Sequence, residues 1–108
     1  MVDWKQVNDL RAEIGEEDFG EILAAFLEET DAMIAALGRA ESAAEMASIL
    51  HFLKGSALNI GLSSFAEACR QAEADLASGK PAPELDHLHS IYRDTRAALV
   101  WALMPAAI

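Results

Sequence analysis

Hydrophobic side chains recur along this chain at steps of three and four residues, the spacing of amphipathic helices. From Asp18 to Leu37 the series Phe19, Ile22, Leu23, Phe26, Leu27, Met33, Ile34 and Leu37 traces one apolar stripe, and Gly38 closes it. Glu28, Glu29 and Asp31 fall away from that stripe and read as a solvated face. A shorter segment before it, Asp3 to Ile14, carries Trp4, Val7, Leu10 and Ile14 on one side. Asp3 is its candidate N-cap and Gly15 lies just past its end. Ser42 and Glu45 have the spacing of a capping box and open a helix that runs to Ile60, with Gly61 as its stop. Ser63 or Ser64 caps the next, in which Phe65, Ala68, Cys69, Ala72, Glu73 and Leu76 face the other helices. Gly79, Lys80, Pro81, Ala82 and Pro83 form a short break. A last helix starts at Pro83 or Glu84 and reaches Leu103, with Leu85, Leu88, Ile91, Tyr92, Thr95, Leu99 and Leu103 on its buried side.

These segments predict an all-α fold, an antiparallel up-down four-helix bundle with a short additional N-terminal helix capping it. No run alternates with period two, and Asn-Gly and Asp-Gly turns are absent, so strands find no support. The 108 residues suffice for one core and are read as a single domain, 1–108. Hydrophobic residues make up 53% of the chain but aromatics only 6%, and alanine is abundant, which favours closely packed helices.

A formal net charge of −10 argues against nucleic acid, whose binding needs clustered Lys and Arg. The acidic residues read as a solvated exterior that keeps the protein soluble and steers it towards basic patches. The single cysteine, Cys69, allows no internal disulfide and fits a reducing compartment, where it serves as a small core residue. No basic N-terminal region leads into an apolar run, and no stretch has the ~18 apolar residues of a membrane helix. Ala97 to Met104, the most apolar end, is interrupted by Pro105 and reads as a buried terminal helix. A cytoplasmic, monomeric protein with no membrane partner is expected.

The candidate chemistry lies between His51 and Gly61. At about 100° per residue, Met46, Ile49, Leu50, Leu53, Ala57 and Ile60 share one third of the helix circumference. His51 points away from the middle of that stripe, with Ala44, Ala47, Lys54, Gly55 and Leu58 at neighbour spacings. A ring with open access and a cation beside it suits a negatively charged group. Gly55 costs about 1 kcal/mol against alanine in a helix interior. Either it clears room over the imidazole, or a neighbouring helix packs closely there.

Other chemistries find less support. His87 and His89 are two apart and point to different faces of a helix, so no metal site is expected. The carboxylates of the second segment lack a histidine at ligand spacing. No phosphate loop, Cys pair, nucleophile elbow or dinucleotide fingerprint occurs, so the chain has no recognisable means of holding ATP.

The string H-x-x-K-G-x-A-x-x-x-G, filled by His51, Lys54, Gly55, Ala57 and Gly61, resembles the signature of the histidine-containing phosphotransfer domains of bacterial phosphorelays. Cys69 and Glu73 fall where that family commonly has a cysteine and a glutamate. The resemblance implies a four-helix bundle whose exposed histidine takes a phosphoryl group from a receiver aspartate, or from a kinase, and passes it to another receiver. It implies attack by Nε2 of His51, with Lys54 placing positive charge beside the phosphoryl oxygens and Gly55 giving access.

Ala44, Ala47, Ser48, Leu58 and Asn59 are the expected partner contacts around the ring, with Ile14 and Phe19 added from the N-terminal helix and its successor. Ser56 is expected to face a neighbouring helix. Response-regulator receivers and a hybrid histidine kinase are the implied partners. The magnesium ion belongs to the receiver, and no cofactor is expected in this chain. Two other readings compete: an interaction module that never carries phosphate, and an enzyme using His51 as general base, which would need a concave, water-poor pocket. A dimeric histidine phosphotransferase resembling a kinase core would need a further domain.

Overall fold

A computed structural model of the protein describes residues 2–80 and 85–103, which form five α-helices and no strand. They are α1 (Trp4–Ile14), α2 (Glu16–Gly38), α3 (Ala43–Ile60), α4 (Ser63–Ala77) and α5 (Leu85–Leu103). Helices α2 to α5 pack as a ring in chain order, α2 on α3, α3 on α4, α4 on α5, and α5 back on α2, while α1 lies against α2 and α3. This is the helical bundle with an N-terminal extra helix that the periodicity predicts. The expected start of the last helix at Pro83 or Glu84, the Leu103 side chain and the break at Pro105 lie outside what is described.

Local signals set most of the boundaries. The Asp3 side chain accepts the Gln6 N–H at 3.2 Å, and Gly15, at φ +99°, donates its N–H to the Arg11 carbonyl. The second helix begins at Glu16, ahead of the expected Asp18. Glu16, Glu17 and Asp18 then fill its first turn, where negative charge complements the helix dipole. Ser42 Oγ accepts from the Glu45 N–H at 3.1 Å, while the Glu45 carboxylate accepts from the Glu41 N–H at 2.8 Å, one residue upstream of a standard capping box. Gly61 adopts the left-handed conformation, φ +92°, and its N–H and that of Leu62 both reach the Ala57 carbonyl. The cap of α4 differs from expectation. Leu62, fully buried, occupies that position, so core packing and not a serine side chain fixes the start of the helix.

The core is built from Val7, Phe19, Leu23, Leu27, Leu37, Leu50, Leu53, Ala57, Ile60, Leu62, Phe65, Ala66, Cys69, Ala72, Leu88, Tyr92 and Leu99. Burying each of the large aliphatic or aromatic members contributes about 1.5–3 kcal/mol. Phe65 and Tyr92 join α4 to α5 with ring centroids 5.0 Å apart and tilted by 47°. The α3 stripe lies as expected, with Leu50, Leu53, Ala57 and Ile60 buried and Met46 and Ile49 at its margins.

Three edge positions depart from the sequence pattern. Ile22 is 44% exposed because it lies about 100° round the helix from Leu23, the middle of the stripe. Thr30, on that midline, is buried instead. Trp4 is exposed, so Val7 alone of its set is fully enclosed. Asp31 is no idle surface acid. Its carboxylate accepts from Tyr92 Oη at 2.6 Å and from Arg96 Nε and Nη2 at 3.0 and 2.8 Å, closing the α2–α5 seam.

Candidate phosphoacceptor site

Helices α3 and α4 are joined only through Gly61 and Leu62, so they run antiparallel and bring residues at similar distances from the turn face to face. His51 of α3 meets Glu73 of α4 in this way. Its side chain is 71% exposed, with Nδ1 3.0 Å from Glu73 Oε1. The other oxygen, Oε2, accepts from Lys54 Nζ at 3.1 Å. One carboxylate therefore clamps the imidazole with one oxygen and the ammonium with the other.

The Lys54 ammonium and, less strongly, the His51 ring hold the Glu73 carboxyl below the usual carboxylate range, against an opposing effect of partial burial. Glu73 is accordingly ionised near neutral pH and can only accept hydrogen bonds. The proton in the contact belongs to Nδ1, so a neutral ring presents its lone pair on Nε2. Beneath this layer the Cys69 thiol is fully buried and pushed up to about 12, first by desolvation and then by the Glu73 charge. It stays a thiol near neutral pH.

Gly55 lies on the exposed side of α3, and a Cβ built on it would meet nothing within 4 Å. Close packing of a neighbouring helix is thereby excluded, and the open space lies one turn from the imidazole. Ala44, Ser48, Leu58 and Asn59 are exposed on the same helix, Ala47 and Ser56 half-buried. Asn59 also lines a groove with Gln6 and Leu10 of α1 and its N-cap Asp3.

Some placements need correction. Lys54, expected to be exposed, is only 26% exposed, with its ammonium on the Glu73 carboxylate of α4. Phe19 is 2% exposed and packs in the core, so it offers nothing to a docking protein. Ile14 is half-buried, at the end of α1 remote from the Gln6–Leu58 contact with α3. Two further residues belong to the surface around the ring. Glu73, expected on the inner side of its helix, sits at the α3–α4 edge. Phe52, 39% exposed beside His51, adds an aromatic to the surface. Its position about 130° from the mean direction of Leu50 and Leu53, on the polar side of the helical wheel, is the signal that marks it.

Among the described residues no group of three or more His, Cys, Asp or Glu side chains could hold a metal ion, and no helix is long and apolar enough to cross a membrane. His87 is exposed and His89 half-buried.

An exposed imidazole with a carboxylate at Nδ1, a neighbouring ammonium and an unobstructed approach can act as a nucleophile towards phosphorus. Comparison with known families agrees with that chemistry. The Hpt domain model matches residues 21–102, a span that contains α3, α4 and the whole His51–Lys54–Glu73 group. No curated protein and no solved structure matches the chain. The match covers most of the sequence, and the chain belongs to the Hpt domain family, the histidine phosphocarriers of phosphorelays.

Proposed function

We propose that Nε2 of His51 accepts a phosphoryl group from the aspartyl phosphate of a receiver domain, or from a histidine kinase, and returns it to the aspartate of another receiver. The lone pair on Nε2 attacks phosphorus, the bond from phosphorus to the aspartyl oxygen breaks, and the carboxylate leaves with its electron pair. The observation that carries this reading is the Glu73 contact at Nδ1, which leaves Nε2 as the nucleophile on the solvent side of the ring. Lys54 Nζ supplies a positive charge one turn away, and Gly55 leaves space for an incoming acidic pocket.

In this reading the receiver brings the magnesium ion and most of the stabilisation of transferring charge, and the chain needs no cofactor of its own. Donor and acceptor are response-regulator receivers, with a hybrid histidine kinase upstream, and the exchange takes place in the cytoplasm. Phe52 and Leu58, exposed on the same helix as the ring, supply apolar contact area for the docked receiver, with Ala44, Ala47, Ser48 and Asn59 on that helix.

The test is incubation with phosphorylated receiver domains. An acid-labile, base-stable label on the parent protein and none on His51→Gln is the expected result. Receivers that bind both proteins equally while labelling neither would make the chain an interaction module and overturn the proposal.

A further inference from the structure

Once Nε2 carries phosphate, the remaining proton of the ring governs how readily the phosphoryl group departs. A nitrogen–phosphorus bond breaks easily when the ring leaves as neutral imidazole, with hydrogen on the far nitrogen. It breaks slowly when the ring must leave as an anion. The far nitrogen here is Nδ1, and Glu73 Oε1 lies 3.0 Å from it. We propose, building on the reading of His51 as phosphoacceptor, that Glu73 is a positioning residue for onward transfer: its carboxylate keeps the proton on Nδ1 of the phosphorylated ring.

The steps balance. On loading, the Nε2 lone pair forms the bond to phosphorus while the donor leaves with its own pair, and Nδ1 keeps its hydrogen, so the ring becomes cationic. On unloading, the pair of the nitrogen–phosphorus bond returns to Nε2 and a neutral imidazole remains. The acceptor oxygen takes the phosphoryl group. Between these events the charge on the ring sits directly on a hydrogen bond to a carboxylate, which favours the cationic form over loss of the proton to water.

The surroundings leave Glu73 and Lys54 as the groups that set this balance. On α3 the nearby cation is Lys54, bound to the same carboxylate, and it opposes the ring charge. On α4 the Cys69 thiol is uncharged and Arg70 is engaged by Glu67. Among the described residues, α1 and α2, which also pack on α3, and α5, which packs on α4, bring no hydrogen bond or ion pair to His51 or Glu73. The device has one anion favouring the proton and one cation disfavouring it, and the two respond in opposite senses to mutation.

The experiment loads the full chain chemitally with potassium phosphoramidate, whose ammonia leaves as Nε2 attacks, and follows loss of the phosphohistidine phosphorus resonance between pH 5 and pH 10. The His51→Gln protein identifies the signal of His51. Glu73→Gln keeps an acceptor at Nδ1 but removes the charge, and the pH at which the phosphoryl group becomes long-lived is expected to fall by about 0.5–1 unit. Lys54→Gln is expected to move it upward. Circular dichroism checks that both variants remain helical, and a variant that does not is replaced in the comparison by the other, which tests the same balance from the opposite side.

Curves for Glu73→Gln or Lys54→Gln that coincide with the parent, or that move in the reverse direction, would overturn the inference. The measurement needs no receiver. Absence of transfer from any receiver therefore removes the functional reading, and coincident curves remove only the role of Glu73.

Discussion

Tyr92 Oη and Asp31 Oδ1 lie 2.6 Å apart across the seam between α2 and α5, and Arg96 completes the contact with two hydrogen bonds to the same carboxylate. This clasp joins the first and last helices of the four-membered ring. Arg96, then Tyr92, holds the Asp31 carboxyl below its ordinary value of 3.8 despite partial desolvation, while burial and the facing carboxylate raise the Tyr92 hydroxyl.

Because the folded-state value of Asp31 is depressed, its contribution to stability is present above about pH 4 and fades as pH falls through the folded value. Asp31→Asn is expected to lower unfolding free energy at pH 7 by about 1 kcal/mol, a figure discounted for the exposure of the Asp31 and Arg96 side chains. The gap between parent and variant in urea titrations should narrow as the pH is lowered from about 4 to 3. A difference that persists undiminished over that range would show that packing, and not the charge, is responsible.

Lys54 is half-buried and bound to Glu73, so its replacement touches both stability and chemistry. Lys54→Ala is expected to cost at most about 1 kcal/mol in urea unfolding and to slow phosphoryl transfer from a receiver about ten-fold. Rapid-quench kinetics beside equilibrium unfolding separates the two effects. A rate equal to that of the parent would remove Lys54 from the transfer step.

Gly55 permits a cleaner separation, since nothing lies within 4 Å of an added Cβ. Gly55→Ala is expected to stabilise α3 by roughly 0.5–1 kcal/mol in thermal unfolding, through the lower backbone entropy of alanine. Gly55→Trp should leave the fold intact and obstruct the approach to His51. Undiminished receiver transfer in the tryptophan variant would show that access does not depend on this position.

The helices and their ends were readable because their causes are local. The Asp3, Ser42, Gly15 and Gly61 signals each act within one turn, and a stripe such as Leu50, Leu53, Ala57 and Ile60 follows from helical geometry alone. His51 and its open side were visible for the same reason. Contacts between helices were not. Whether an acid meets solvent, as Glu28 does, or a partner on another helix, as Asp31 and Glu73 do, depends on the register of α2 with α5 and of α3 with α4. Phe19 illustrates the converse: family position suggested a docking role, but its place on the midline of α2 puts it in the core.

The turn at Gly61 fastens α1 to the end of the histidine helix. Asp3 N–H donates to the Gly61 carbonyl at 2.7 Å, and Gln6 Nε2 donates to the Leu58 carbonyl at 2.6 Å. A Cβ at Gly61 would lie 3.1 Å from the Asp3 oxygen, so the two segments meet backbone to backbone. The packing of α3 consequently draws on residues outside the span matched by the family model. A fragment trimmed to residues 21–102 would lose Val7 from the core and both donors from the terminal carbonyls of α3, and fraying would begin at the end of the helix two turns from His51.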